Sequence, residues 1–171
     1  KMASTIPPGS DNLIIIPYIV GTVCTKSNSN AKGIFFGFTI NHNKAHLIRA
    51  TLESISYSIR ENLEFMKNSG INFSKIVSLG GGAKSSLWCQ IKADVNKMPV
   101  ETLKFGNMAS SIGACFFAAV GSGYYKSLLD IKNRKLLESQ HIYKPTKKNF
   151  EIYDKLYNKF KTIYERSIDL F

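Results

Sequence analysis

Arginine is scarce in this chain, supplying four of the 23 basic residues against 19 lysines. Its rigid planar fork is what bidentate contacts to phosphates and base edges ask for. A net charge of +11 therefore does not by itself indicate a nucleic-acid partner. The lysines are spread along the chain with an excess near its end. Abundant lysine, asparagine and isoleucine together match the bias of AT-rich coding sequence. Either that bias or an acidic partner segment outside the chain accounts for the charge. Cysteine is nearly absent: Cys24, Cys89 and Cys115 stand far apart, which argues against a disulfide framework or a zinc site and suits a reducing cytosol. No run of about 18 apolar residues occurs, so no membrane span is expected. Lys1-Met2-Ala3-Ser4 opens without the long apolar stretch of a signal peptide. A cytoplasmic protein is the expectation.

What the chain does have is a core. With 171 residues, 44% of them apolar and 12% aromatic, it fits one domain or a large piece of one. After a Pro7-Pro8-Gly9 coil, residues 12–16 and 33–40 read as β stretches around a polar loop at 21–32. Ile48, Leu52, Ile55, Ile59, Leu63 and Met66 recur at spacings of three and four. That predicts a helix of roughly 25 residues, capped by Asn41 or Asn43 and ended by Gly70. Residues 75–79 form a predicted buried strand, and a second helix begins near Ser85. A strand at 99–103 follows, then a helix of small residues from about Ala109 to Val120. Phe150, Tyr153, Leu156, Tyr157, Phe160 and Tyr164 mark an amphipathic helix at the end. Strand, glycine loop, helix, strand, helix is an α/β unit with a parallel strand pair.

The glycine run Leu79-Gly80-Gly81-Gly82-Ala83-Lys84-Ser85-Ser86 sits at a strand's carboxyl end and a helix's amino end, where α/β proteins bind ligands. A helix start offers N–H groups and partial positive charge to phosphates, and glycines let backbone lie flat against a base or ribose. A plain tight turn with Ser85 as N-cap explains the same residues. A Walker A loop is excluded because Ala83 and Ser78 stand where its glycines belong. The GxGxxG dinucleotide pattern fails for want of a third glycine.

Read with its neighbours, the loop resembles a known family. Residues 79–94, LGGGAKSSLWCQIKAD, are similar to the GGGAKSxxWxQxxAD stretch of the xylulose kinase group within the FGGY carbohydrate kinases. Gly33 through Phe38, then His46-Leu47 and Ala50-Thr51-Leu52-Glu53, follow the spacing of that family's second signature. Ile112-Gly113-Ala114 with Ala118-Ala119-Val120-Gly121 resembles its ALGAA…AAVG helix. Gly9-Ser10-Asp11, Leu13, Pro17-Tyr18 and Gly21 resemble GSDGLLFLPYLxGERTP. The order is collinear from about residue 9 to 170.

The resemblance implies an actin-like ATPase (ribonuclease H-like) α/β fold. Residues 1–171 would be part of its C-terminal, nucleotide-binding domain, incomplete at the N-terminal end, with the sugar-binding catalytic domain absent. It implies ATP with Mg²⁺ and a small sugar as partners, xylulose or a related pentulose first. Ribulose, gluconate, glycerol or a signalling sugar are the alternatives. Gly80, Gly81, Gly82, Ala83, Ser85 and Ser86 would lie beside the adenosine of ATP, and Gly37 near its phosphates. No catalytic residue and no metal ligand is assigned, because the family's aspartate base and phosphate hairpins have no counterpart here. Glu53 and Asp94 match family positions and read as solvated or capping residues. Gly21-Thr22-Val23-Cys24-Thr25 replaces GERTP, and Asn107 stands where an acidic residue is common. His42 and His46 stand at a spacing that could bind metal, but Asn43 takes the place of an HExxH glutamate and no third ligand accompanies them, so a helix-start or packing role is the better reading. Trp88, Cys89 and Cys115 read as packing residues, and Lys144, Lys147 and Lys148 as a solvated face. A homodimer, a basic nucleic-acid-binding α/β module and a non-catalytic interaction domain complete the readings.

Overall fold

In the computed structural model the described residues are 1–22, 27–131 and 138–171. Val23, Cys24 and Thr25 of the altered GERTP segment lie outside them.

The long helix is present, but a different face of it is buried. α1 (Lys44–Asn68) has 25 residues. Asn43 Oδ1 accepts from the Ala45 N–H at 2.9 Å and the Asn43 N–H donates to the His46 ring at 3.2 Å, a reciprocal cap. Gly70, at φ +83°, takes the left-handed conformation just past the helix end. The buried face carries His46, Arg49, Ala50, Glu53, Ser54, Ser56 and Tyr57. None of the six apolar residues that predict the helix is fully buried, and Ile48 and Met66 are each 37% exposed. Apolar periodicity thus located the helix without locating its inner face. A polar inner face survives because its charges are paired with one another and with backbone.

Glu53 shows how, and corrects the solvated-or-capping expectation. It is 2% exposed and accepts from the Gly9 N–H (2.9 Å), Ser10 Oγ (2.8 Å), Arg49 Nε (2.8 Å) and the Tyr153 hydroxyl (3.1 Å). Arg49 also donates to the Ile6 carbonyl at 2.8 Å. Asp94, 3% exposed, accepts from Gln90 Nε2 (2.7 Å), the Thr146 N–H (2.8 Å) and Asn149 Nδ2 (2.7 Å). Both carboxylates are internal ties between distant segments.

β1 (Ile14–Ile16) is buried throughout and pairs antiparallel with β2 (Ile34–Phe36), Ile15 opposite Phe35. Both are shorter than the sequence suggests. Ahead of β1, Ser10, Asp11 and Asn12 turn at φ +47°, +51° and +70°, conformations that short polar side chains tolerate best. β3 (Ile76–Ser78) runs parallel to β4 (Val100–Leu103), as the βαβ reading requires. β3 is an outer strand of its sheet and Val77 is 43% exposed, so it is not the buried strand expected. β5 (Ser139–Tyr143), absent from the sequence reading, pairs antiparallel with the far side of β4.

Between β3 and β4 runs α2 (Ser86–Asn96); α3 (Ala109–Gly121) follows β4, and α4 (Phe150–Ser167) comes last. The main core joins Tyr153, Leu156, Tyr157, Phe160 and Tyr164 of α4 to Ile14, Ile16, Tyr57, Ile91 and Val95. A smaller cluster of Cys89, Ala93 and Val100 lies between α2 and β4. No residue of α3 is fully buried, and Phe117 is 68% exposed. No helix among the described residues is long and apolar enough to cross a membrane.

Candidate functional site

The parallel pair β3–β4 brings the glycine run to the strand ends. From Ser78 the chain passes Gly80, at φ +70°, into a single 3-10 turn, Gly81–Lys84, and then into α2. Ser85 is the N-cap, its Oγ accepting from the Trp88 N–H at 3.2 Å. The Gly80 N–H donates to the Gly106 carbonyl at 2.8 Å, tying the loop to the turn beyond β4. Gly82 is needed for a reason other than the one its sequence suggests. A Cβ there would stand 2.8 Å from the Trp88 ring, so the indole demands the glycine from beneath. Trp88 Nε1 in turn donates to the Leu52 carbonyl at 3.2 Å, which fixes the ring as packing. At Gly80 and Gly81 a Cβ would meet nothing within 4 Å. The outer edge of the loop is open.

That edge borders a cavity of about 390 Å³. Gly80, Ala83, Lys84 and Ser86 form one wall. The opposite wall comes from the end of β4 with Asn107, and from Gln140, His141 and Tyr143 of β5. Lys84, Lys104 and His141 line the space, and no acidic side chain among the described residues does. Lys104 approaches Glu138 at 3.7 Å, with both side chains largely exposed. The cavity suits a polar, anionic guest more than a metal cation.

Of the residues singled out in the sequence, Gly80, Ala83 and Ser86 line this cavity, together with Lys84 of the same run and Asn107. Gly81, Gly82 and Ser85 lie in the same loop without lining it. Gly37 lies beyond β2, at φ +78°, where a Cβ would stand 3.0 Å from the Asn12 carbonyl; it is not part of the cavity wall. Thr102, Lys104 and the β5 residues were missed. Their available signal was the short run Ser139-Gln140-His141-Ile142-Tyr143 bounded by Pro145.

The histidine pair separates into two local roles. His42 precedes α1 rather than lying on it, and its Nδ1 accepts from the Thr39 N–H at 2.9 Å. His46 completes the α1 cap, and its Nε2 lies 3.0 Å from Asp11 Oδ2. Cys89 is buried, with Sγ 3.8 Å and 3.7 Å from the Gly82 and Ala83 carbonyls, while Cys115 is exposed. The packing role read for Cys115 therefore does not hold.

Comparison with known proteins gives the family. The sequence pattern described as FGGY family of carbohydrate kinases, C-terminal domain, matches residues 1–122. Xylulose kinase of Bacillus subtilis (strain 168) is 33% identical over 165 residues, which cover 96% of this chain and 33% of that protein. The crystal structure of ligand-bound xylulose kinase from Lactobacillus acidophilus superposes with a TM-score of 0.82 at 28% identity, covering 97% of this chain and 33% of that one. Gluconate kinase from the same organism gives 0.80 at 28% identity, with the same shares of 97% and 33%. The chain thus spans about a third of the length of the relatives it matches.

Proposed function

Because the chain belongs to the FGGY family of carbohydrate kinases, whose fold is that of the actin-like ATPases, we propose that the protein carrying it transfers the terminal phosphoryl group of ATP to a sugar hydroxyl. In this reading residues 1–171 are part of the nucleotide-binding domain, and they bind the adenosine side of ATP. Gly80, Gly81, Gly82 and Ala83 form the contact edge, with Ser85 holding the helix start and Ser86 facing the nucleoside. Gly37 belongs to the phosphate side. The observation that carries the reading is the open-edged loop beside a polar, acid-free cavity of about 390 Å³.

ATP fits these residues, since glycine backbone, a helix start and basic side chains are what a nucleotide asks for. Mg²⁺ does not fit them. It prefers carboxylate and phosphate oxygens, and among the described residues the cavity wall offers no carboxylate. Xylulose or a related pentulose is the proposed acceptor, in keeping with the xylulose kinases among its relatives. Gluconate is the second reading, on the likeness to gluconate kinase. A cytoplasmic setting follows from such substrates.

The test is ADP release by the full-length protein across a panel of pentuloses, gluconate and glycerol. Xylulose should give the highest kcat/KM, and this chain alone should give no sugar-dependent turnover. Absence of ADP release with every sugar, or turnover by the isolated chain, overturns the proposal.

A further inference from the structure

Among the described residues Lys92 is the only fully buried lysine, at 5% exposure. It lies on the second turn of α2, where side chains lean back toward the helix start. Its ammonium donates to Ser78 Oγ at 2.5 Å, at the last residue of β3. The same group stands 4.9 Å from the centre of the Trp88 ring, a cation–π distance. Trp88 is also the ring that fills the space beneath Gly82. One charge therefore touches both supports of the glycine loop: the strand that leads into it and the indole on which it rests.

Among the described residues no carboxylate takes part in holding this ammonium. Burial pushes it below the usual lysine range, and the neighbouring Cys89 opposes that shift. An unpaired buried charge is costly, and an apolar side chain of similar length would fill the place at less cost. Its position gives the charge a use. It lies behind the loop on α2, whose start already carries partial positive charge. In packed surroundings it is screened far less than a surface lysine. In front of the loop, Lys84, Lys104 and His141 line the cavity, and the Glu138 carboxylate that approaches Lys104 is not among the lining residues.

The geometry points to Lys92 as a positioning residue for an anionic nucleotide, holding Ser78 and Trp88 so that the loop's open edge is fixed and adding positive potential from behind it. This rests on the nucleotide reading of the site given above.

The experiment uses the full-length protein, ATP as the probe, and Lys92→Met, Lys92→Arg and Ser78→Ala. Lys92→Met should raise the ATP KM about tenfold, a factor one poorly screened charge can supply. The sugar KM and kcat should move less than about twofold, and the thermal midpoint should hold or rise because the unpaired charge is gone. Lys92→Arg should recover most of the ATP KM. Ser78→Ala, the milder change, should raise it about threefold and add little to Lys92→Met. Unchanged ATP KM and calorimetric ATP affinity in Lys92→Met overturn the proposal. A joint fall of thermal midpoint and of both substrate affinities also overturns it, since that marks a structural prop alone. Failure of the wild-type protein to bind ATP in the calorimeter refutes the nucleotide reading itself, and the role of Lys92 with it.

Discussion

Glu53 accepts four hydrogen bonds from groups that come from α1, the Gly9–Ser10 turn and α4. Truncating it strands Arg49 as a buried, uncompensated charge and leaves the Ser10 and Tyr153 hydroxyls short of an acceptor. Glu53→Ala should therefore cost about 3–5 kcal/mol, read as a lowered urea midpoint, with Glu53→Gln losing less. Little of this was legible in the sequence. Ser10 and Tyr153 stand 43 and 100 positions away, and no local spacing announces such partners. Gly82 was legible as a residue that must be small, but not for which neighbour. Its constraint comes from Trp88, on the helix that follows. Ser85, by contrast, was readable as a cap, because capping involves only the next few residues.

At the scale of elements, the helices could be read because their periodicity is local, and α1, α2 and α4 lie where the spacing puts them. β5 could not, because its pairing depends on the open side of β4, which no stretch of sequence displays. The inner face of α1 was hidden for a related reason: its polar residues are buried by partners on other elements. One junction links three of these elements through charge. Asp154 of α4 accepts from Arg60 of α1 at 2.8 Å and from Lys97, just past α2, at 2.6 Å. Burial alone would raise its carboxyl, but the bonds from Lys97 and Arg60 outweigh it and hold the group below the usual carboxylate range. A depressed folded value means stability that is present above the unfolded pKa of about 3.9 and lost as pH falls through the folded one. The side chain is 38% exposed, so solvent reduces the effect. Asp154→Asn should cost about 1 kcal/mol or less at pH 7, and the difference from wild type should vanish near pH 2. Urea titrations at the two pH values measure it.

For the whole molecule, the core is made where early and late parts of the chain meet. Ile14 and Ile16 of β1 pack in one cluster with Tyr153, Leu156, Tyr157, Phe160 and Tyr164 of α4. Removing residues 146–171 would uncover that cluster and release the Glu53 and Asp94 ties together. The shortened chain should lose its cooperative thermal transition by circular dichroism; a sharp transition near the parent midpoint would contradict this account of the core. The α/β class and the parallel pair were legible in the sequence, as was the loop between them. The far wall of the cavity was not, because it belongs to β5. The same meeting of early and late segments sets a schedule for birth on the ribosome. At ~5–20 residues per second, β1 waits roughly 7–30 s for α4 to be synthesised. During that time Ile14 and Ile16 can meet β2 and α1 but lack the α4 side of their cluster. The nascent chain is exposed to chaperones and to misassembly for that interval.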